Sequence, residues 1–190
     1  RVLVIDQSDV ESSLEVDIGD PPDRSRILKT IQNIQNLYRG KGYDNVSIES
    51  RLIRRRLKSG KQIYVLLFDV REGNPTRLVG IRIQPQQMGD EQKNTWEKLE
   101  KQLAKDLGFR IGDVIGQERI TEITAQVESI LSSNEFYGAR VRDVQKKDAP
   151  IPSVVAKEDR KEASRWVILE VNVDLGDRVN FGFRGNTVLS

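Results

Sequence analysis

The chain has 190 residues, and its 31 basic and 29 acidic side chains leave a net charge of +2. This near balance gives no overall field that would draw the protein to nucleic acid or to a membrane. The absence of cysteine excludes disulfides and thiol chemistry, and the absence of histidine excludes the commonest general base and metal ligand. No apolar run approaches the length of a transmembrane helix.

The chain opens on a β-type segment at residues 1–5, and a short helix is predicted over residues 9–16. A second helix is predicted after a candidate N-cap at Asp23, and it ends at Gly40 and Gly42. Its apolar side chains recur at helical spacing and form one stripe with two flanking residues: Ile27, Ile31, Ile34 and Tyr38, with Leu28 and Leu37 beside them.

Two strands follow the second helix. Val46, Ile48, Ser50 and Leu52 alternate with mostly polar residues, and this period of two predicts a half-buried strand. After a turn at residues 58–61, residues 63–70 are apolar on both faces, which is typical of a central strand. One face would lie beneath the helices, and the other would pack on a neighbour or bind a peptide.

A short break with turn chemistry separates this strand from the next β-type segment at residues 78–83. Gly73, Asn74 and Pro75 form the break. We predict that they are an interdomain hinge, and that proline in so short a linker restricts its motion. The predicted domains are 1–74 and 75–177, with 178–190 as the first strand of a following domain and the chain as a fragment of a longer protein.

The second domain is predicted to repeat the order of the first. Asp90 is a candidate N-cap, and the helix after it carries an apolar stripe at Trp96, Leu99, Leu103 and Leu107. The stripe of the next helix comprises Ile120, Ile123, Val127, Ile130 and Leu131. The last strand is predicted over residues 166–173, after a long mobile hairpin loop at about residues 145–164.

An internal duplication explains this order. Ile18-Gly19-Asp20, followed five residues later by Arg26-Ile27, returns 93 residues on as Ile111-Gly112-Asp113 and Arg119-Ile120. The offset holds without a gap for about thirty residues, through these apolar pairs: Ile34 with Val127, Leu37 with Ile130, Tyr43 with Phe136, Val46 with Ala139, and Ile48 with Val141. It rises to 103 at a Val-x-x-Gly pattern, so the second copy carries about ten extra residues. We predict an α+β fold of two β-α-α-β-β units, each a three-stranded mixed sheet covered on one face by two helices.

With this order established, the chain resembles tandem POTRA domains of the outer-membrane β-barrel assembly and transport family (BamA and TamA type). Gly42-Tyr43-Asp44-Asn45-Val46-Ser47-Ile48 resembles the family's Gly-Tyr-x-x-Ala-x-Val, and Val70-Arg71-Glu72-Gly73 resembles its Val-x-Glu-Gly. Residues 181–190 resemble the Phe-x-Gly-Asn start of a following domain. The second copy departs from these patterns, since Glu135 replaces Gly42 and Leu175 replaces Glu72.

The resemblance implies a non-enzymatic scaffold at the periplasmic face of the outer membrane of a Gram-negative-type cell, with no cofactor. Its partners would be unfolded outer-membrane or secreted polypeptides, accessory periplasmic proteins or lipoproteins, and the C-terminal β-barrel of the same polypeptide, but no nucleic acid. The alternatives are the POTRA region of a two-partner secretion transporter and an envelope or cell-division assembly hub. In the family, the middle strand of each unit lies at a sheet edge and accepts a strand from another chain. The implied binding residues are Val46, Ile48, Ser50, Leu52, Arg54, Ala139, Val141 and Asp143.

Two charged clusters invite other interpretations. Asp17, Asp20 and Asp23 are spaced closely enough for a cation, but helix entry and capping explain them better, because the second copy keeps only Asp113. A basic patch contains Arg51, Arg54, Arg55, Arg56, Lys58 and Lys61. It is interpreted either as a solvated edge strand whose charge discourages unwanted pairing, or as a contact with lipid head groups or an acidic protein. No arrangement of residues indicates a catalytic site or a metal site.

Overall fold

The structure, a computed structural model, describes residues 5–19, 23–86, 88–134, 136–155 and 163–176, apart from the side chains of residues 90, 91, 92, 94 and 104. The elements in chain order are α1 (Gln7–Ser12), α2 (Arg24–Gly40), β1 (Ser47–Arg56), β2 (Gln62–Arg71), β3 (Thr76–Gln86), α3 (Asp90–Asp106), α4 (Gln117–Ser133), β4 (Arg140–Asp148) and β5 (Arg165–Asp174). The predicted α+β class is confirmed, and so is a three-stranded sheet. No helix in the described part of the chain has both the length and the apolar character needed to cross a bilayer.

The strands form two sheets. β1 and β2 pair antiparallel from Ser47 opposite Arg71 to Arg56 opposite Gln62. The second sheet has the order β3-β5-β4, so β5 lies between its two neighbours. The predicted first strand of the chain falls almost wholly on residues 1–4, outside the described residues, while Ile5 lies in a bend and is buried.

Aligned elements of the two copies have matching bounds. Helix α4 begins and ends 93 residues after α2, and β5 begins and ends 103 residues after β2. A close backbone approach also occurs at aligned positions. A Cβ on Gly73 would lie 3.0 Å from the Asn45 carbonyl oxygen, and one on Gly176 would lie 2.9 Å from the carbonyl carbon of Gly138. Both glycines have a positive φ, 76° and 62°, which explains why the chain uses glycine at the end of each Val-x-x-Gly pattern.

Three predicted segments need correction. Helix α1 covers residues 7–12 rather than 9–16. Strand β4 continues to Asp148, so the loop that follows begins later than residue 145. Arg165 on β5 donates from Nε to Asp148 Oδ1 at 2.7 Å, an ion pair that closes this end of the hairpin. Residues 156–162 of the loop lie outside the described residues.

The chain divides into two compact units that are not contiguous in sequence. The first takes in Arg1–Val79, Arg110–Ile120 and Asp148–Val167, and the second takes in the rest, as far as these residues are described. The duplication predicts a boundary at residues 74 and 75 instead. The first packing boundary therefore falls inside β3, and the predicted domain limits stay a prediction.

The first unit has a small core beneath α2. Ile5, Ile34, Tyr38 and Val46 are buried together, and partly buried apolar residues pack against them: Val10, Leu37, Tyr43, Ile48 and Val70. The rings of Tyr38 and Tyr43 meet edge to face, with centroids 6.3 Å apart. Burial, followed by the nearby Glu72 carboxylate, raises the pKa of the Tyr38 hydroxyl.

The second unit buries apolar residues from α3, α4, β3 and β5 and from the segments next to them. They are Ile83, Trp96, Leu99, Leu103, Leu107, Ile123, Val127, Leu131, Phe136, Ala139, Leu169, Val171, Val173 and Leu175. The predicted stripe of α3 is therefore buried along its whole length. Most of the stripe of α4 is buried too, with Ile130 only half-buried.

Candidate partner-binding edges

Strand β4 lies at an outer position of its sheet, with β5 as its strand neighbour among the described residues. The backbone N–H of Val141 donates to Glu128 Oε1 on α4 at 2.9 Å, so this amide points away from β5. Successive amides of a strand alternate in direction. Ala149 N–H, just after the strand, donates to Trp166 O on β5 at 2.8 Å, so the Gln145 amide also points toward β5, and those of Val144 and Lys146 point toward the outer edge. The burial pattern of β4 changes phase between Val141 and Val144, which is where the alternation shifts by one residue. Since Glu128 already occupies the Val141 amide, the part of β4 suited to pairing begins at Val144.

The side chains of β4 are tied to β5 rather than to the outer edge. Asp143 accepts hydrogen bonds from Gln145 at 2.6 Å and from Asn172 at 2.7 Å, and these bonds lower the pKa of its carboxyl, that of Gln145 most. Arg142 pairs with Asp174 on β5. Cross-strand pairs of this kind hold the hairpin together and leave the outer backbone groups of β4 uncovered by their own side chains.

Strand β1 is the corresponding strand of the first copy, and β2 is its strand neighbour among the described residues. Ile48 and Ser50 are half-buried, while Leu52 and Arg54 are exposed. Leu57 N–H donates to Lys61 O at 2.8 Å and the register with β2 is unbroken, so by alternation the amides of Ile48 and Ser50 point to the outer edge.

Two of the residues expected at these edges lie elsewhere. Val46 and Ala139 each precede their strand and are buried, with 6% and 2% of their surface exposed. Val46 belongs to the core of the first unit. Sequence alternation alone counted them as strand residues, whereas the structure makes them core residues at the strand entry.

The basic patch extends along the distal half of the β1–β2 hairpin. Arg51, at its base, pairs with Asp69 on β2, and Arg54 donates to the neutral Gln62 side chain. The other members are exposed and form no ion pair with described residues: Arg55, Arg56, Lys58 and Lys61. The predicted turn at residues 58–61 is confirmed, since Leu57 N–H donates to Lys61 O at 2.8 Å and Gly60 has a φ of 82°.

Sequence reasoning missed an apolar groove beside this hairpin in the first unit. It has a volume of about 320 Å³ and lies between residues 14–19 and side chains that include Leu52, Tyr64 and Phe68. The signal was present in the pattern of β2, whose apolar residues continue beyond the part that α2 covers.

The acidic cluster does not form a metal site in the described residues. The carboxylate of Asp23 accepts from the Ser25 backbone N–H at 2.9 Å, so the predicted N-cap of α2 is confirmed. Asp17 pairs with Arg26 at 3.4 Å, and Asp20 lies outside the described residues.

The predicted hinge leads directly into a densely hydrogen-bonded stretch of the first unit. Thr76 is buried, and its N–H donates to Gly42 O while its carbonyl accepts from Ile115 N–H, at 2.8 and 2.9 Å. Its hydroxyl donates to Asp44 at 2.9 Å. The carbonyl of Pro75 accepts from Arg165 N–H at 3.0 Å. Flexibility is therefore confined at most to Gly73 and Asn74, and the hinge itself stays a prediction.

The C-terminal end of α2 packs closely on residues 114–118, at the start of α4, within the same unit. A Cβ on Gly116 would lie 1.8 Å from the Gly40 carbonyl oxygen. Nearby, Lys41 Nζ donates to Glu118 Oε2 at 2.9 Å, which raises the pKa of this lysine. The close approach requires glycine at position 116 on steric grounds alone.

Comparison with known proteins places the first copy in a family. Residues 2–73 match the POTRA family model, described as "Surface antigen variable number repeat". The predicted resemblance to POTRA domains is thus confirmed over the first copy. Comparison with curated proteins gives no match.

Three solved structures illustrate the similarity, all at low identity. POTRA domains 3–5 of BamA from Haemophilus influenzae are 17% identical, with a TM-score of 0.48 over 98% of this chain and 68% of that one. The N-terminal domain of Omp85 from Thermosynechococcus elongatus is 17% identical, with a TM-score of 0.35 over 90% of this chain and 62% of that one. CdiB from Escherichia coli is 15% identical, with a TM-score of 0.35, and the match covers 88% of this chain but 24% of CdiB.

Proposed function

We propose that this chain is a periplasmic scaffold region of an outer-membrane protein assembly or translocation factor. It binds unfolded polypeptides and accessory proteins by accepting their strands at the outer edges of β1 and β4. The POTRA match over residues 2–73 supports the class of protein. The observation that carries the binding mode is the Val141 amide, which points away from β5 and is held by a side chain rather than by a strand.

Strand addition suits this task because its hydrogen bonds come from the main chain. An unfolded client supplies the same N–H and C=O groups whatever its sequence, so one edge serves many clients. The side chains along the edge then determine which client sequences bind more tightly. The segment from Val144 to Asp148 offers amides at the edge with mostly exposed side chains, which places little demand on the client's sequence.

A proline substitution at the edge tests this binding mode. Lys146→Pro removes an amide that points outward, so it leaves the ladder between β4 and β5 intact and blocks an incoming strand. Crosslinking of an unfolded outer-membrane polypeptide to β4 should fall at least about fivefold, the value of one hydrogen bond of about 1 kcal/mol. Ser50→Pro should do the same at β1.

Matched alanine variants separate backbone from side chain. Lys146→Ala and Ser50→Ala keep the amide, so crosslinking should stay at the wild-type level. Circular dichroism and urea unfolding check that the proline variants remain folded. Unchanged crosslinking by a folded Lys146→Pro protein, together with a folded Ser50→Pro protein, would exclude strand addition at these edges.

A further inference from the structure

The distal part of the β1–β2 hairpin concentrates positive charge without any acidic residue. Between Ser50 and Phe68 the chain carries six basic residues and no Asp or Glu. At the base of the hairpin the charges are paired, Arg51 with Asp69 and Arg71 with Glu49. Beyond the base, five positive charges have no counter-charge among the described residues: those of Arg54, Arg55, Arg56, Lys58 and Lys61.

Apolar side chains are exposed among these charges. Leu52, Leu57 and Tyr64 have 46%, 44% and 55% of their surface exposed. Tyr64 lies opposite Arg54 and Leu52 opposite Leu66 in the antiparallel register, so these residues share one face of the hairpin. Leu57 lies at the turn itself. The end of the hairpin thus presents cations and apolar groups together.

This combination matches the chemistry of a lipid bilayer surface. Basic side chains near anionic head groups gain electrostatic attraction, and leucine and tyrosine enter the boundary between head groups and acyl chains. A single-stranded nucleic acid would require stacking aromatics among the cations, and Tyr64 is the one aromatic residue from Ser50 to Leu67. An acidic protein would satisfy the cations but leave the exposed leucines without a matching apolar surface.

We propose that the end of the β1–β2 hairpin, residues 52–64, docks on an anionic lipid membrane. The five cations lie against the head groups, and Leu57 at the turn enters the interface. A hairpin end is convex, so a flat surface reaches it without rearrangement of the fold. This contact leaves the outer edge of β1 accessible, so the interaction does not depend on strand addition.

Co-sedimentation with lipid vesicles tests the proposal with the whole chain. Vesicles of phosphatidylcholine with phosphatidylglycerol should retain the protein, and vesicles of phosphatidylcholine alone should not. The triple variant Arg55→Gln, Arg56→Gln, Lys58→Gln should bind about a hundredfold more weakly, at about fivefold for each basic side chain near the surface. Raising the salt concentration should weaken wild-type binding, because the charges are exposed.

A matched variant removes three positive charges elsewhere. Lys98, Lys101 and Lys105 are exposed on α3, and their replacement by glutamine changes net charge equally but should leave vesicle binding near the wild-type level. Equal losses in the two triple variants would show a non-specific effect of net charge and overturn the proposal. Retention of wild-type affinity by the hairpin variant would overturn it as well.

A tryptophan at the turn distinguishes a membrane from an acidic polypeptide. In Leu57→Trp the new indole should shift its emission to the blue on anionic vesicles and be quenched by brominated lipid, because it enters the interface. Soluble polyglutamate should not produce the shift. Binding to polyglutamate without binding to anionic vesicles would assign the hairpin to an acidic protein and reject the lipid surface.

Discussion

The last strands of the two copies, β2 and β5, are similarly apolar in sequence but differ in burial. In β5, Trp166, Val167, Leu169, Val171 and Val173 are all at most 5% exposed. In β2, no residue is buried, although seven of its ten residues are apolar.

The difference follows from the neighbours of each strand. β5 lies between β3 and β4, so its backbone is paired at both edges, and one of its faces is buried along its whole length. Among the described residues, β2 has β1 as its strand neighbour, and β1 is rich in arginine. Strand composition therefore predicts that a segment is β, but its depth in the protein depends on the elements around it. The central position of β2 stays a prediction, because the strand expected beside it falls on residues 1–4, outside the described residues.

Leucine truncation at aligned positions should measure this difference directly. Leu169 on β5 is fully buried, and its counterpart on β2, Leu66, is half-buried. Leu169→Ala should lower the free energy of unfolding by about 3 kcal/mol, because it leaves a cavity. Leu66→Ala should cost about 1 kcal/mol, because water already reaches its site. Urea unfolding followed by circular dichroism provides both values, and equal costs would refute the contrast in burial.

The first unit gains covering surface from residues of the second copy. Ile115 is 1% exposed, and Thr76 is buried at the start of β3, where the two form a backbone hydrogen bond. Residues 110–120 and 148–167 belong to this unit by packing. We infer that the open first hairpin is stabilised by this added layer.

An added methyl group at the point of closest approach should weaken that layer. In Gly116→Ala the Cβ would lie 1.8 Å from Gly40 O and 2.5 Å from Gly42 N, and both are backbone atoms. The forced shift should cost about 2 kcal/mol and speed hydrogen exchange in α2 more than in α3. Gly80→Ala is the control, because nothing lies within 4 Å of its Cβ. Equal exchange in the two variants would mean that the contact does not support α2.

The periodic features of the sequence predicted the helices well. The N-cap at Asp23, the glycines that end α2 and the stripes of α3 and α4 are all confirmed, because local spacing and capping decide them. The duplication predicted helix α4 and strand β5 of the second copy from α2 and β2 of the first copy. The family resemblance of the first copy is confirmed as well.

Features that depend on distant residues were not predicted. Thr30 is fully buried on α2, where its hydroxyl accepts from Glu15 N–H at 2.9 Å. A hydropathy pattern assigns a threonine to the surface, and no local signal shows that a loop will cover it. The charged residues 146–148 were assigned to a loop, but Arg165 on the partner strand neutralises Asp148 and extends the hairpin. Both features depend on a residue far away in the sequence, so they could be predicted only once the position of that residue in the fold was known.

The smallest expected effect concerns the charge pair that joins β4 to β5. The Arg142 guanidinium, and then the Gly176 backbone N–H at 3.1 Å, lower the pKa of the Asp174 carboxyl below its ordinary value. A carboxyl with a lowered folded-state pKa adds stability above its unfolded pKa of about 4, and this contribution is lost as the pH falls through the folded value.

Arg142→Gln should raise the pKa of Asp174 in an NMR titration. It should also flatten the dependence of unfolding on pH below about 4. Asp174→Asn should flatten it equally, and the double variant should add nothing further, because both changes remove one interaction. Since both side chains are exposed, solvent screens the pair and the loss is small. An Asp174 pKa that stays low in Arg142→Gln would assign the shift to the Gly176 amide instead.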